Sequence, residues 1–439
     1  MPRRIVLWIA LPVWIGLACN LTPGMVPPAV DTPAPGMPSI PGNTPTETLS
    51  LPTNTPTPFP SYERFLCENK PSVVVLMVDP GLANAVRPAL DQFEADLCAD
   101  GYGVVERTLD LVSPPEVRAY LADLYMRTAQ KLEGAIFIGN VPLPHQFFLE
   151  YTGTEDTPPL EREAISFQYY SDLDGEFSAS QGFASPGRYE FSYDQHTGAV
   201  DWEIWTAVLP LYRGDPTQTA EALTDYFIKN HRYRMGEYAI PKSFVVISEH
   251  FVAKTDAEQA NFINLLRTGT YSWTPLSSQP STRVYIQGTT ISVSDGYADL
   301  STGVGDITVT EVHGNWESSG TIDIRWVESN PVRTVLFWSD GCSIGNLEHA
   351  ENFLTSVVYS PASMVLVAKG STNDSGGLGS NREGYYGHNI AVRLAAGKNL
   401  GQAILGHVNV PLISPWVKSR EFHFSMLILI GDPTLRLRS

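Results

Sequence analysis

Two stretches of this 439-residue chain end in residues that nucleophilic chemistry could use. ITVTEVHGNWESSG reads as a strand running into His313-Gly314, and PVRTVLFWSDGCSIG as an apolar run ending at Gly341-Cys342-Ser343. A cysteine nucleophile needs a thiolate, a base beside it and donors for the oxyanion. His313 suits the base, because an imidazole near neutral pKa can take a thiol proton and return it to a leaving amine. Gly314 and Cys342 each offer a backbone N–H for the oxyanion. Glycines at 341 and 345 give the cysteine a tight, uncovered turn. Taken singly, a cysteine is usually a small buried hydrophobe and a histidine a structural residue. The pairing of two strand ends is what raises the chemical reading above that.

The surrounding sequence supplies elements to position such a pair. PSVVVLMVDP is a compact β-branched strand between prolines, NAVRPALDQFEADLCADG a helix closed by Gly101, and GYGVVERTLDL a second strand. SPPEVRAYLADLYMRTAQKLEG opens with Ser113 as N-cap and Pro114 as first helical residue, and is expected to close at Gly134. GAIFIGNVPLP and DWEIWTAVLP are further strands, and QTAEALTDYFIKNHRYRMG a helix. From about Gln146 to Asp201 the aromatic, Gly- and Asp-rich sequence suggests long loops over strand ends. A second cycle starts at KSFVVISEH and closes with FSMLILIGDPTLRLR. Alternating strand and helix predicts an α/β fold, a parallel or mixed sheet sandwiched by helices, in two α/β subdomains. Working residues of such sheets gather beyond the carboxyl ends of the strands. His313, Cys342 and Glu249, after FVVIS, all stand there.

Other chemistries are excluded. With 29 basic against 47 acidic residues, the net charge of −18 argues against nucleic acid or an anionic membrane surface as partner. No HExxH helix or GxxxxGK[ST] loop occurs, and SGGLGSNREG lacks dinucleotide spacing. Four cysteines, Cys19, Cys67, Cys98 and Cys342, form neither a disulfide scaffold nor a CxxC metal pattern.

The amino end reads as an address. MPRRIVLWIALPVWIGLAC places Arg3 and Arg4 before a short apolar run and small residues, as in a secretory signal over residues 1–19. Ending in Gly16-Leu17-Ala18-Cys19, it resembles a bacterial lipoprotein signal with Cys19 lipidated, which would tie the chain to a lipid bilayer. Plain secretion and an uncleaved anchor are the alternatives, and all three are extracytoplasmic. Residues 20–60 are dominated by Pro and Thr with no period of 2 or 3.6, as expected of an extended, disordered stalk. Residues 61–238 and 239–439 are the two expected subdomains, the second catalytic.

From about Ser72 to Leu437 the chain resembles the gingipain-type cysteine peptidases, which are caspase-like in fold. The resemblance rests on His313-Gly314 and on Gly341-Cys342 followed by Gly345. It extends to Ala368-Lys369-Gly370-Ser371-Thr372, to GKNLGQA at Gly397 to Ala403, and to GDPTLRL at Gly431 to Leu437. It implies an endopeptidase acting on polypeptides through a Cys342–His313 dyad and a thioester, with no required cofactor. The N–H groups of Gly314 and Cys342 would line the oxyanion hole, and Glu249, in Ser248-Glu249, would orient the histidine. Asp256 would receive an Arg or Lys side chain of the substrate; its other reading is a helix cap beside Thr255. Thr206-Ala207-Val208 replaces the family's Gly-Arg pair, and Asp340 stands where small or apolar residues are commoner, its charge expected to raise the thiol pKa. A non-catalytic member that binds peptides or glycans, and a purely structural surface protein, are the rival readings.

Remaining residues carry less. Cys67 and Cys98 could pair in an oxidising compartment. Asp172 and Asp174 offer oxygen ligands for a structural Ca2+ ion, with a surface turn as the alternative. Trp202, Trp205, Trp316 and Trp338 suit the core or cleft walls, and Glu348 and His349 a helix behind Cys342.

Overall fold

The computed structural model describes residues 62–111, 113–150, 160–179, 191–238, 240, 243–252, 254–261, 283–287, 292–303, 305–373, 390, 392–409 and 426–437. Cys19, the signal segment and the stalk lie outside the described residues. Among the described residues, no helix is long and apolar enough to cross a membrane.

An eleven-stranded sheet runs through the molecule. Its strands are β1 (Glu63–Leu66), β2 (Ser72–Val78), β3 (Tyr102–Thr108), β4 (Leu132–Gly139), β5 (Trp205–Pro210), β6 (Phe244–Val252), β7 (Arg283–Gln287), β8 (Gly305–Glu311), β9 (Thr334–Ser339), β10 (Val367–Ser371) and β11 (Leu427–Gly431). The spatial order is β1-β3-β2-β4-β5-β11-β10-β9-β8-β6-β7. β2 to β5 form one parallel set, and β10, β9, β8, β6 and β7 another. β1 is antiparallel to β3 and β11 to β10, so the sheet is mixed. The last strand thus lies at the seam between the two halves, and the sheet crosses the boundary expected near residue 238 without a break.

Burial explains the strand sequences. Val74 to Val78 in β2 are wholly enclosed, which is why the run is apolar throughout rather than alternating. Helices α1 (Arg87–Ala99), α2 (Pro114–Arg127), α3 (Pro216–Arg234), α4 (Val293–Thr302) and α5 (Phe353–Tyr359) bury apolar faces in one large cluster with the sheet. A second cluster lies under α6 (Leu400–Val408) and includes Val246, Val309 and Trp338. Phe93 of α1 stacks on Phe227 of α3 with ring centres 5.0 Å apart. Cys67 and Cys98 form a disulfide, pinning α1 to the segment after β1.

Two expectations are corrected. The helix opening at Ser113 has the expected capping box with Glu116, but ends at Arg127, not Gly134. Ala129 and Gln130 take positive φ there, and Gly134 belongs to β4. Gly134 is glycine because a Cβ would stand 2.1 Å from the Trp205 ring. The segment expected to be long loops contains strands His145–Glu150, Leu160–Ile165 and Ser192–Tyr193 in a small sheet of their own, with a further pair Glu176–Ser178 and Gln195–Thr197.

The two carboxyl-terminal motifs do packing work. Asn399 caps α6 by accepting from Gln402 N, while its Nδ2 donates to Tyr102 Oη and Glu133 Oε1. Asp432 is buried and accepts from Asn230 Nδ2 and from Arg234 at the end of α3. GDPTLRL is therefore the clamp between the seam strand and α3.

Candidate active site

β8 and β9 are neighbouring parallel strands, with Thr310 opposite Ser339. Three residues beyond this pair lie His313 on one chain and Cys342 on the other. Equal offsets from a register pair keep the two backbones side by side, at about the 4.8 Å spacing of strands. β6 flanks β8 with Ser248 opposite Glu311, so Glu249 reaches the same edge. The structure brings His313, Cys342 and Glu249 together at the carboxyl ends of three adjacent strands.

Direct contacts tie the two turns. A Cβ on Gly314 would lie 3.0 Å from Gly341 Cα and 2.7 Å from Ile344 Cγ2, so the turns touch through bare backbone. Glu249 Oε2 accepts from the backbone N–H of His313 at 3.3 Å. This contact of Glu249 is thus to the main chain of the histidine. Burial raises the Glu249 carboxyl above its ordinary range, and the His313 N–H draws it partly back. His313 is exposed, whereas Cys342 is 5% exposed.

The cysteine turn is strained where it matters. Ser343, immediately after Cys342, has φ 53°, a left-handed conformation that costs a non-glycine residue of order 1 kcal/mol. Its N–H donates to Asn373 O at 2.9 Å, and that of Gly345 to Ser371 O at 2.9 Å, so the chain leaving β10 holds the turn. On the other side His313 leads into a tight hairpin, Gly314–Asn315 against Ser318–Ser319. Trp316 at its tip stacks on His349, 4.3 Å between ring centres and with the ring planes nearly parallel. Glu348 and His349 lie in turns, not in the expected helix; α5 begins only at Phe353, whose N–H donates to Trp316 O.

Asp340 behaves differently from expectation. Its Oδ1 accepts from Lys369 Nζ at 2.6 Å and from Trp338 Nε1 at 2.8 Å, and the Lys369 ammonium sits 4.6 Å above the Trp338 ring. The charge expected to oppose thiolate formation is matched by a buried ammonium.

Asp256 is exposed at the start of the helical turn 256–261. The capping is done by its neighbours: Thr255 Oγ1 accepts from Glu258 N, and Glu258 Oε2 accepts from Thr255 N and Lys254 N. Thr206-Ala207-Val208 lies inside β5; an Arg-Gly pair, Arg213-Gly214, follows that strand, with Arg213 Nε donating to Glu351. The tryptophans at 202, 205 and 338 are buried, and Trp316 is half-buried.

Carboxylate oxygens of Asp172, Asp174 and Glu203 lie within 4.8 Å of one another. Asp172 is wholly buried rather than on a surface turn; its Oδ1 accepts from Gly175 N, and its Oδ2 lies 2.7 Å from His196 Nε2. Glu203 accepts from Leu173 N. These bonds already account for the turn.

Cys342 is disulfide-bonded in this structure. A nucleophilic role requires the reduced thiol.

Glu311 is not among the residues singled out from the sequence, and Lys369 and Ser343 appear there only as members of motifs, without a role. Glu311 and Lys369 carried a signal, each being a charge set in an apolar strand; Ser343 carried one as the central residue of Gly341-Cys342-Ser343-Ile344-Gly345.

No family model matches the chain, and no curated protein matches it. Solved structures do resemble it. The Arg-specific cysteine proteinase gingipain R superposes with a TM-score of 0.57 over 84% of this chain and 79% of that one, at 12% identity. The complex of Porphyromonas gingivalis RgpB pro- and mature domains gives 0.55 over 84% and 80%, at 11% identity. A structure described only as a protease gives 0.53 over 84% and 79%, at 12% identity. The fold is the caspase-like gingipain fold, a large mixed sheet flanked by helices.

Proposed function

We propose that the chain is an extracytoplasmic cysteine endopeptidase with Cys342 as nucleophile and His313 as general base and acid. The observation that carries this reading is the equal offset of the two residues beyond the Thr310–Ser339 pair, with their turns in backbone contact. His313 takes the Cys342 thiol proton, and the thiolate adds to the peptide carbonyl. The N–H groups of Gly314 and Cys342 stabilise the oxyanion. Collapse breaks the C–N bond, the amine leaves with the proton from His313, and a thioester remains. Water, deprotonated by His313, then releases the acid and the thiol. Glu249 holds the His313 main chain so that the imidazole stays over the cysteine turn.

The polypeptide is the substrate, and a lipid attached at Cys19 is the proposed tether to the bilayer; mass spectrometry of the mature amino terminus tests the tether. Preference for Arg or Lys would rest on Asp256, and Asp256→Ala leaves the choice of cleavage site unchanged if that residue is only part of a helix start.

A second reading, a non-catalytic protein that binds peptides or glycans in the same cleft, is favoured by the burial of Cys342, which is 5% exposed. An active-site thiol probe separates the two. After mild reduction, labelling of Cys342 that is lost in His313→Ala supports the peptidase. A folded, reduced protein whose Cys342 stays inert supports the binder.

A further inference from the structure

Below the two turns, a row of polar side chains interrupts an apolar sheet face. Ser248 on β6 is opposite Glu311 on β8, and Trp338 on β9 is opposite both Val309 and Lys369. Side chains two apart on a strand share a face, so Glu311 lies on the face of Val309, and Asp340 on that of Trp338. The row Ser248, Glu311, Asp340, Lys369 therefore spans four adjacent strands. Ser248 is fully buried, Glu311 is 6% exposed, and the Asp340 and Lys369 side chains are each 9% exposed. Glu311 stands two residues before His313 and Asp340 two before Cys342, so the row underlies the dyad.

Two atoms in it, facing each other across β6 and β8, lack a hydrogen bond: Ser248 Oγ and Glu311 Oε2. Glu311 Oε2 is buried with no hydrogen bond, which costs about 1–3 kcal/mol. A polar group entering the cleft from above would offset that cost.

Resting on the peptidase reading, we propose that this row is the floor of the primary specificity pocket and selects a carboxamide, Asn or Gln, before the scissile bond. A carboxamide presents an NH2 donor and a C=O acceptor on one carbon. Glu311 Oε2 can accept from the NH2, and the Lys369 ammonium can donate to the C=O. Charged side chains fit worse. A carboxylate would face both Glu311 and Asp340. A guanidinium or ammonium would enter beside Lys369 and could be paired only by ionising Glu311. The Lys369 ammonium, fixed on Asp340, repels a second cation brought beside it.

The test uses the reduced full-length chain and two matched sets of reagents. One is a set of fluorogenic peptides that differ only before the scissile bond (Asn, Gln, Arg, Lys, Asp, Leu). The other is a set of peptidyl thiol-reactive probes carrying the same residues. The expected result is at least a tenfold higher kcat/KM for Asn or Gln than for Arg, Lys or Asp. Glu311→Leu should remove that advantage mainly through KM, Glu311→Gln should retain most of it, and Lys369→Met should shift preference towards Arg and Lys. Thermal unfolding of each variant controls for folding. Preference for Arg or Lys in the unaltered chain, with Cys342 labelled by those probes, overturns this inference alone. Failure of every peptide and every probe overturns the peptidase reading and this inference with it.

Discussion

Gly314 and Gly341 meet backbone to backbone: a Cβ on the first would stand 3.0 Å from the Cα of the second, and the reverse distance is 3.3 Å. The spacing of the imidazole and the sulfur is therefore set by two missing side chains. In Gly314→Ala the new methyl must also push Ile344 Cγ2, only 2.7 Å away. Separating the turns by even part of an ångström should lower kcat/KM by about 10- to 100-fold. Stability should fall by about 1–3 kcal/mol, as for an overpacked core site. Peptide hydrolysis and denaturant unfolding of the variant check both numbers; wild-type activity would show that the turns can slide freely.

The Lys369–Asp340 pair gives a second prediction. Both side chains are nine-tenths buried, so removing one partner strands the other's charge. Lys369→Met should destabilise the fold by about 3–5 kcal/mol, and Asp340→Leu in the same chain should recover much of that loss. Chemical denaturation of the single and double variants measures the coupling, and simple additivity would mean that the pair is not a unit.

The positions of His313, Cys342 and Glu249 were legible because strand ends announce themselves: apolar runs stop, and turn residues follow. The alternation of strand and helix was legible for the same reason. What the sequence hid depends on partners far along the chain. Gly134 looks like a helix stop, yet its bareness serves the ring of Trp205, far along the chain. The 146–201 region reads as loop because its strands are short and pair mainly with one another. Lys369 stands in the sequence only as one member of the Ala368–Thr372 motif, and the fold shows that it answers Asp340. Asp256 owes its expected role to the resemblance alone, and it stands exposed at a helix start.

The Cys67–Cys98 disulfide closes a loop of 31 residues that contains β2 and most of α1. Cross-linking such a loop stabilises by roughly 3–4 kcal/mol in the chain-entropy model. Replacing both cysteines by serine should lower the unfolding free energy by about that much while leaving labelling of reduced Cys342 intact, because the bridge is at the other end of the sheet order from β8 and β9. Equilibrium unfolding with and without reductant checks the first part, and probe labelling the second.

Glu311 makes stability depend on pH with a definite sign. Its carboxyl is raised from 4.5 to about 7 in the folded protein, burial being the larger cause and the Asp340 charge the next, with the Ser248 hydroxyl drawing it partly back. Between those values the folded chain keeps a proton that the unfolded chain has lost, so this group's contribution is full below about pH 4.5. It fades as pH rises, and is gone above about 7. The span corresponds to roughly 3 kcal/mol as an order of magnitude. Glu311→Gln cannot titrate, so wild type should lose stability relative to the variant steadily from pH 4.5 to 7.5 and run level with it thereafter. Glu94, also pushed up to about 7, titrates in both proteins and cancels in the difference. Denaturant unfolding of the two proteins across that range reads the slope directly. Parallel curves would mean that the Glu311 carboxyl is solvated, and the buried floor beneath the dyad would then have no orphaned acid to offer a substrate.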